Sequence, residues 1–418
     1  MQYFERKVER HGSILSHPRK TQPKYPWFTS TKRAEIDVGA LQNNYRACLE
    51  KLRQITPNAR VLAVVKADAY GHGSNTCVWA LENAGCDFFA VSCLEEAYPV
   101  RDQAKHADIL VLGYTAPQFA SELTKHGLIQ TLLSPDYARE LAEAAKKEKL
   151  APLRVHIAVD TGMGRIGYPA RTNQEIDDTV KKILSLRDEG AFEICGMFTH
   201  FARADEGLAT SKEKTTLQAT RYRTLKKKLE ESGMIIPFHH VCNSAAALTR
   251  HDDIFDGVRL GLCLYTPPTY TPKHLKLQPV MHLSADVVHI QTIPRGESVG
   301  YGGRFTALND TPIGVLPIGY ADGIPRSLRG ATLSIKTEKG TFPVKIIGSV
   351  CMDQCMIDLS GIDAKVGDRV SFFGHTPTAL SALAEHAGTI PYELLCAISL
   401  RVPRNIICPK QNEKKKED

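Results

Sequence analysis

Nowhere does the 418-residue chain run to 18 consecutive apolar residues, so no segment is suited to span a membrane as a helix. Its opening, MQYFERKVERHGSIL, also lacks the block of about 7–15 apolar residues that a secretory signal requires, and a cytoplasmic protein is expected. Paired C-x-x-C spacing is missing as well: the eleven cysteines are odd in number and scattered, the nearest two being Cys351 and Cys355. That argues against a metal-binding cysteine cluster and a disulfide framework, and for free buried thiols. No G-x-G-x-x-G joins a first strand to its helix, which weakens dinucleotide binding, and no repeat recurs at a fixed period, which disfavours a solenoid. A net charge of +7 raises the question of nucleic acid, but eight cations against two acids lie between residues 1 and 33. The body is therefore nearly neutral and offers no clustered phosphate-binding face. The basic segment 1–32 and the charged end 409–418 read as solvated tails.

What the chain does have is length for two domains and the composition of a globular protein. From residue 60 to about 265, eight apolar runs of strand length recur: RVLAVVK, CDFFAVS, ADILVLGY, GLIQTLL, LRVHIAVD, FEICGMFTHF, FHHVCN and GVRLGLCLY. Between them lie stretches such as SPDYARELAEAAKKEK, apolar every three or four residues and charged elsewhere. Continuous apolar strands alternating with amphipathic helices imply a parallel sheet covered on both faces, and eight units predict an α/β chain built on a closed (β/α)8 TIM barrel over 33–277. After about 278 the strands are punctuated by Gly, Pro and Asp, predicting a β-rich C-terminal domain to 408.

In such a barrel the functional groups gather where strands finish. Lys66 ends the first run, Arg165 follows the fifth, His200 ends the sixth, His240 and Ser244 close the seventh, and Arg259 opens the eighth. Singly, a histidine is more often bonded in the core and a lysine more often snorkels to water, and an arginine can merely cap a helix. Their convergence on one barrel face is the signal. A lysine drawn out of water loses proton affinity and becomes a nucleophile for carbonyl carbons.

The segment AVVKADAYGHG resembles the pyridoxal-phosphate attachment motif of the alanine racemase family. DTGMGRIG, THFARADE, NSAA, VRLGLCLY, VGYGGRF, LPIGYADG, CMDQCMIDL and RVPR follow in the family's order, so the resemblance runs from about residue 33 to 406. It implies a racemase in which Lys66 carries the cofactor and Lys66 and Tyr301 act as two bases on opposite faces of the substrate. It further implies a homodimer in which Tyr301 crosses to the neighbouring subunit. Tyr70, Ser244, Gly261 and Leu262 would hold the phosphate, with glycines 71 and 73 allowing close approach. Arg259, oriented by His240, would meet the ring nitrogen, and His200 would lie beside the cofactor. Arg165 would meet the phenolic oxygen and the substrate carboxylate, Met352 and Asp353 would line the substrate pocket, and Tyr265 with Tyr320 would narrow its entrance. Runner-up readings are a racemase of wider range, a barrel-type decarboxylase on the same cofactor, and a non-catalytic carrier.

Two positions depart from the family's common pattern. Ala158 stands where a lysine, modified to a carbamate, often orients the arginine, so Arg165 is left to another anion or acid. Leu400 stands where a tyrosine usually approaches phosphate and substrate, which opens room for side chains larger than methyl, such as serine. The aspartate of KADAYGHG is a third, milder departure, without a physical account.

Overall fold

The structure, a computed structural model, describes residues 30–206, 209–374 and 379–408. Most of the N-terminal tail and all of the C-terminal one expected from the sequence lie outside the described residues. Each of the eight apolar runs supplies one strand: Arg60–Val64, Phe88–Val91, Asp108–Val111, Ile129–Leu132, Leu153–Asp160, Phe192–Phe198, His239–His240 and Gly257–Leu260. All pair in parallel, and the last lies beside the first with Arg259 opposite Leu62. On its other side the Arg259 amide donates to the Cys242 carbonyl at 2.9 Å and the Asp256 amide to that of His239 at 3.1 Å, closing the ring. Strands in a closed ring face either its interior or the surrounding helices, so Phe88–Val91 and Ile129–Leu132 are buried at every residue. No alternation marks them in sequence for this reason.

Several helix starts are fixed by side-chain caps. Asp37 accepts the Ala40 amide at 2.9 Å ahead of Val38–Ile55. Ser134 accepts that of Tyr137 at 3.1 Å before Pro135–Lys147, where proline at the first position fits an amide-free start. Thr172 and Glu175 form a capping box for Asn173–Glu189.

A second sheet of nine strands follows, running His289–Ile293, Thr311–Leu316, Cys355–Asp358, Gly340–Ile347, Thr332–Thr337, Arg369–Phe373, Met281–Asp286, Lys32–Asp37, Arg404–Ile407 in spatial order. Lys32–Asp37 opens the stretch read from sequence as barrel, yet it pairs antiparallel with Met281–Asp286 and parallel with Arg404–Ile407. Its side chains alternate between buried and half-buried, a pattern that suits one covered face and not a barrel wall. The chain thus passes through the second sheet before building the barrel. Among the described residues no helix is long and apolar enough to cross a membrane, and all eleven cysteines are free.

Candidate active site at the barrel's C-terminal face

Lys66 leaves the first strand into an unusual piece of backbone. Ala67, Asp68, Ala69 and Tyr70 have φ of 51°, 52°, 54° and 55°, a left-handed turn made without glycine. Each such residue costs an L-amino acid roughly 1–2 kcal/mol, so the turn persists only where its surroundings over-determine it. They do. The Ala67 amide donates to Glu96 Oε1 at 2.8 Å and the Ser74 amide to Asp68 Oδ1 at 2.6 Å. His72 Nδ1 lies 2.9 Å from the carbonyls of both Ala69 and Tyr70, so this nitrogen carries the proton and donates. Burial keeps that imidazole neutral, lowering its pKa to about 4. Gly71 abuts the helix Pro391–Ala397: a Cβ there would meet the Leu395 carbonyl oxygen at 2.3 Å. Lys66 itself is half-buried. Loss of water, then the nearby Arg165, hold its pKa below the ordinary value, with Glu96 opposing them.

Behind the lysine stands Arg259, buried and, among the described residues, paired only with neutral acceptors. Nη1 donates to His240 Nδ1 at 2.8 Å, and Nη2 to the carbonyls of Thr199 at 2.7 Å and Val241 at 3.1 Å and toward His200 Nδ1 at 3.3 Å. Desolvation lowers its pKa to about 10, which still leaves it charged at neutral pH. Because an arginine only donates, His240 must accept at Nδ1 and carry its proton on Nε2, which then donates to His156 Nδ1 at 2.9 Å. Each imidazole is thereby fixed in one neutral tautomer. Burial lowers the His156 pKa to about 3; His200, desolvated and near Arg259, Arg165 and Lys66, also falls to about 3.

Tyr70 and Ser244 meet over Gly261. The Gly261 amide donates to Ser244 Oγ at 2.9 Å, and a Cβ on Gly261 would lie 2.5 Å from the Tyr70 hydroxyl, so glycine leaves a cradle open between them. Leu262 begins the helix Leu262–Tyr265 and its amide has no acceptor within that helix. Arg165 is exposed, and Asp160, the acid of its loop, is already engaged: Oδ1 accepts the amides of Gly162 and Gly164 at 3.0 Å each, and Oδ2 pairs with Arg171 at 2.5 Å. Ala158 is buried and offers no polar atom.

The expected residues of the second domain form a separate group. Tyr301, Tyr320 and Met352 are exposed at 75%, 44% and 53%. Ser349 Oγ donates to the Tyr301 carbonyl at 2.9 Å, and the Tyr320 and Ala321 amides donate to the carbonyls of Cys351 and Met352 at 3.0 Å each. The Asp353 carboxylate is held by Arg401 at 2.7 Å, and Leu400 is 89% exposed. One expectation needs correcting: Tyr265 is fully buried, its hydroxyl donating to the Val64 carbonyl at 2.9 Å and its ring against Tyr70 and His72. It supports the lysine turn from behind and is not at an entrance.

Sequence reasoning missed Glu96, His72, His156 and Arg404. His156 was detectable as the one imidazole inside the apolar run LRVHIAVD, and Arg404 as part of RVPR. Glu96 follows another glutamate, and nothing in the sequence tells which of the two turns inward.

The sequence profile described as "Alanine racemase, N-terminal domain" matches residues 36–268, and that described as "Alanine racemase, C-terminal domain" matches 280–406. Alanine racemase of Clostridium novyi is 39% identical over 383 residues, 89% of this chain and 94% of that protein. The Methanococcus maripaludis enzyme is 38% identical over 382 residues, 89% and 97% respectively. Among solved structures, alanine racemase of Clostridium difficile superposes with a TM-score of 0.80 at 34% identity, covering 91% of this chain and 97% of that one. The Enterococcus faecalis structure gives 0.81 at 32%, covering 91% and 99%. With both profiles matched in order across barrel and second sheet, the chain belongs to the alanine racemase family and is an isomerase of that type.

Proposed function

We propose that this chain interconverts L- and D-alanine with pyridoxal phosphate, in a site completed by a second copy of itself. What carries the reading is Lys66: a half-buried amine of lowered proton affinity at the barrel's C-terminal face, set near Arg165, Arg259 and His200. The residues present suit the cofactor. A phosphate fits the cradle of the Tyr70 and Ser244 hydroxyls and the Leu262 amide, where Gly261 leaves room. Pyridoxal phosphate would supply an aldehyde for the amino group of the substrate and a ring that withdraws electrons from its α-carbon.

The protein's share is proton handling and orientation. Racemisation requires the α-proton to leave one face and return at the other, so two bases on opposite sides are needed. The Lys66 amine takes one side. The Tyr301 hydroxyl of the second copy takes the other, consistent with its 75% exposure in the single chain. Arg259 offers the ring nitrogen a hydrogen bond without giving up a proton, and the His240–His156 pair holds its guanidinium in place. Arg165, without an acid partner in its own loop, is available for the substrate carboxylate, and Met352 and Asp353 line the pocket from the second copy with Tyr320 at its mouth.

The test is an absorbance spectrum of purified protein before and after borohydride, followed by peptide mapping. A reduced cofactor adduct on Lys66 is expected. Colourless protein that ignores added pyridoxal phosphate, or undiminished turnover in Lys66→Ala, would sink the proposal.

A further inference from the structure

The left-handed turn that carries Lys66 is tied at its two ends by side chains that take no part in the chemistry just described. At its start, the Ala67 amide donates to Glu96 Oε1 at 2.8 Å, while Glu96 Oε2 accepts the Ser92 amide at 2.7 Å, just past the end of Phe88–Val91. One carboxylate thus binds the ends of two neighbouring barrel strands. At the turn's close, the Gly71 carbonyl accepts from Nε and Nη2 of Arg404, at 3.1 and 3.0 Å. The same guanidinium donates to the carbonyls of Ile398 at 2.6 Å and Val402 at 2.8 Å, and Arg404 opens a strand of the second sheet.

We propose that Glu96 and Arg404 are positioning residues for Lys66, a two-ended clamp that holds the left-handed turn from the barrel and from the second sheet and so sets where the amine stands. The physical need is plain. Four consecutive L-residues at φ near +50° relax toward negative φ unless both ends are fixed, and relaxation would swing the lysine side chain away from the strand axis. Arginine suits the second end because its planar fork reaches several spread carbonyls at once, whereas the three N–H donors of a lysine radiate from a single nitrogen. Glu96 has a further effect: its charge opposes burial, Arg165 and Arg259 in setting the proton affinity of Lys66. The inference rests on Lys66 being the reactive amine, a reading that borohydride trapping tests separately.

The experiment compares wild type, Glu96→Gln and Arg404→Lys as cofactor-free protein by hydrogen exchange, and titrates Lys66 by the pH dependence of its reductive methylation. In the wild type, the Ala67 and Ser92 amides should be protected like those of Ala63 and Ala90 in the core strands, although Ala67 and Ser92 are exposed residues. Glutamine keeps the size of Glu96 but only one accepting oxygen and no charge. E96Q should raise exchange at Ala67 or Ser92 about tenfold or more and lower the Lys66 midpoint, whereas loosened packing alone would admit water and raise it. R404K should speed exchange at Gly71, His72 and Gly73 without moving that midpoint. Pyridoxal phosphate should bind both variants more weakly while borohydride still marks Lys66. Unprotected Ala67 and Ser92 amides in the wild type overturn the clamp whether or not the variants fold, as does wild-type exchange in both variants. A missing mark on Lys66 in the wild type overturns the assignment of the amine instead.

Discussion

Replacing Gly71 by alanine probes the contact between the lysine turn and the second domain. Its backbone sits at φ 79°, ψ 4°, and an added Cβ would lie 2.3 Å from the Leu395 carbonyl oxygen and 3.2 Å from its carbon. Carbon-to-oxygen contacts ordinarily stop near about 3.3 Å, so that carbonyl, part of the helix Pro391–Ala397, would have to retreat by roughly 1 Å. Three costs add: about 1 kcal/mol for a left-handed alanine, about 1–3 kcal/mol for overpacking, and about 1 kcal/mol for disturbing the Arg404 donors on the Gly71 carbonyl. G71A should therefore lose about 3–5 kcal/mol in urea unfolding followed by circular dichroism. Gly190 is the control, because its torsions, φ 69° and ψ 6°, nearly match and nothing lies within 4 Å of its added Cβ. G190A should lose only about 1 kcal/mol. Equal losses from the two substitutions would refute the claim that close approach, and not backbone torsion, demands glycine at 71.

Lys66→Ala and Tyr301→Phe should each abolish interconversion, yet equimolar mixing with subunit exchange should restore about a quarter of wild-type activity, since half the dimers would then contain one intact site. No recovery in mixtures shown to contain heterodimers would remove Tyr301 from the shared site. His72 folds neutral with its pKa lowered to about 4, so the unfolded chain binds a proton that the native one refuses. Its contribution is complete above about pH 6.5 and is lost as pH falls toward 4, with a slope of up to about 1.4 kcal/mol per pH unit. His72→Asn should show a shallower acid limb in urea titrations; an unchanged limb would contradict the buried neutral imidazole. Tyr70→Phe removes one hydroxyl of the cradle over Gly261 and should weaken pyridoxal phosphate binding about 5- to 10-fold in equilibrium titration. If Leu400 leaves the room that the family resemblance implies, serine should be racemised within about 200-fold of alanine, and a preference for alanine beyond about a thousandfold would refute the wider pocket.

The barrel was legible because its strands are buried on both faces and must be written as unbroken apolar runs, and each of the eight runs from RVLAVVK to GVRLGLCLY became a strand. The conspicuous polar residues at their ends, Lys66, His200, His240 and Arg259, were legible for the same reason: a polar side chain at the close of an apolar strand is conspicuous. Tertiary structure alone decided that Lys32–Asp37 belongs to the second sheet, since its partners Met281–Asp286 and Arg404–Ile407 are about 250 and 370 residues away in sequence. It likewise decided that Tyr265 lies behind the lysine turn, that Glu96 and not its neighbour meets the Ala67 amide, and that Arg404 reaches Gly71. Hydrophobic periodicity is a local property written into each segment by which side it must hide from water. The partner of a single half-buried carboxylate or guanidinium depends on which distant backbone groups the fold leaves unsatisfied, and only the assembled chain determines that.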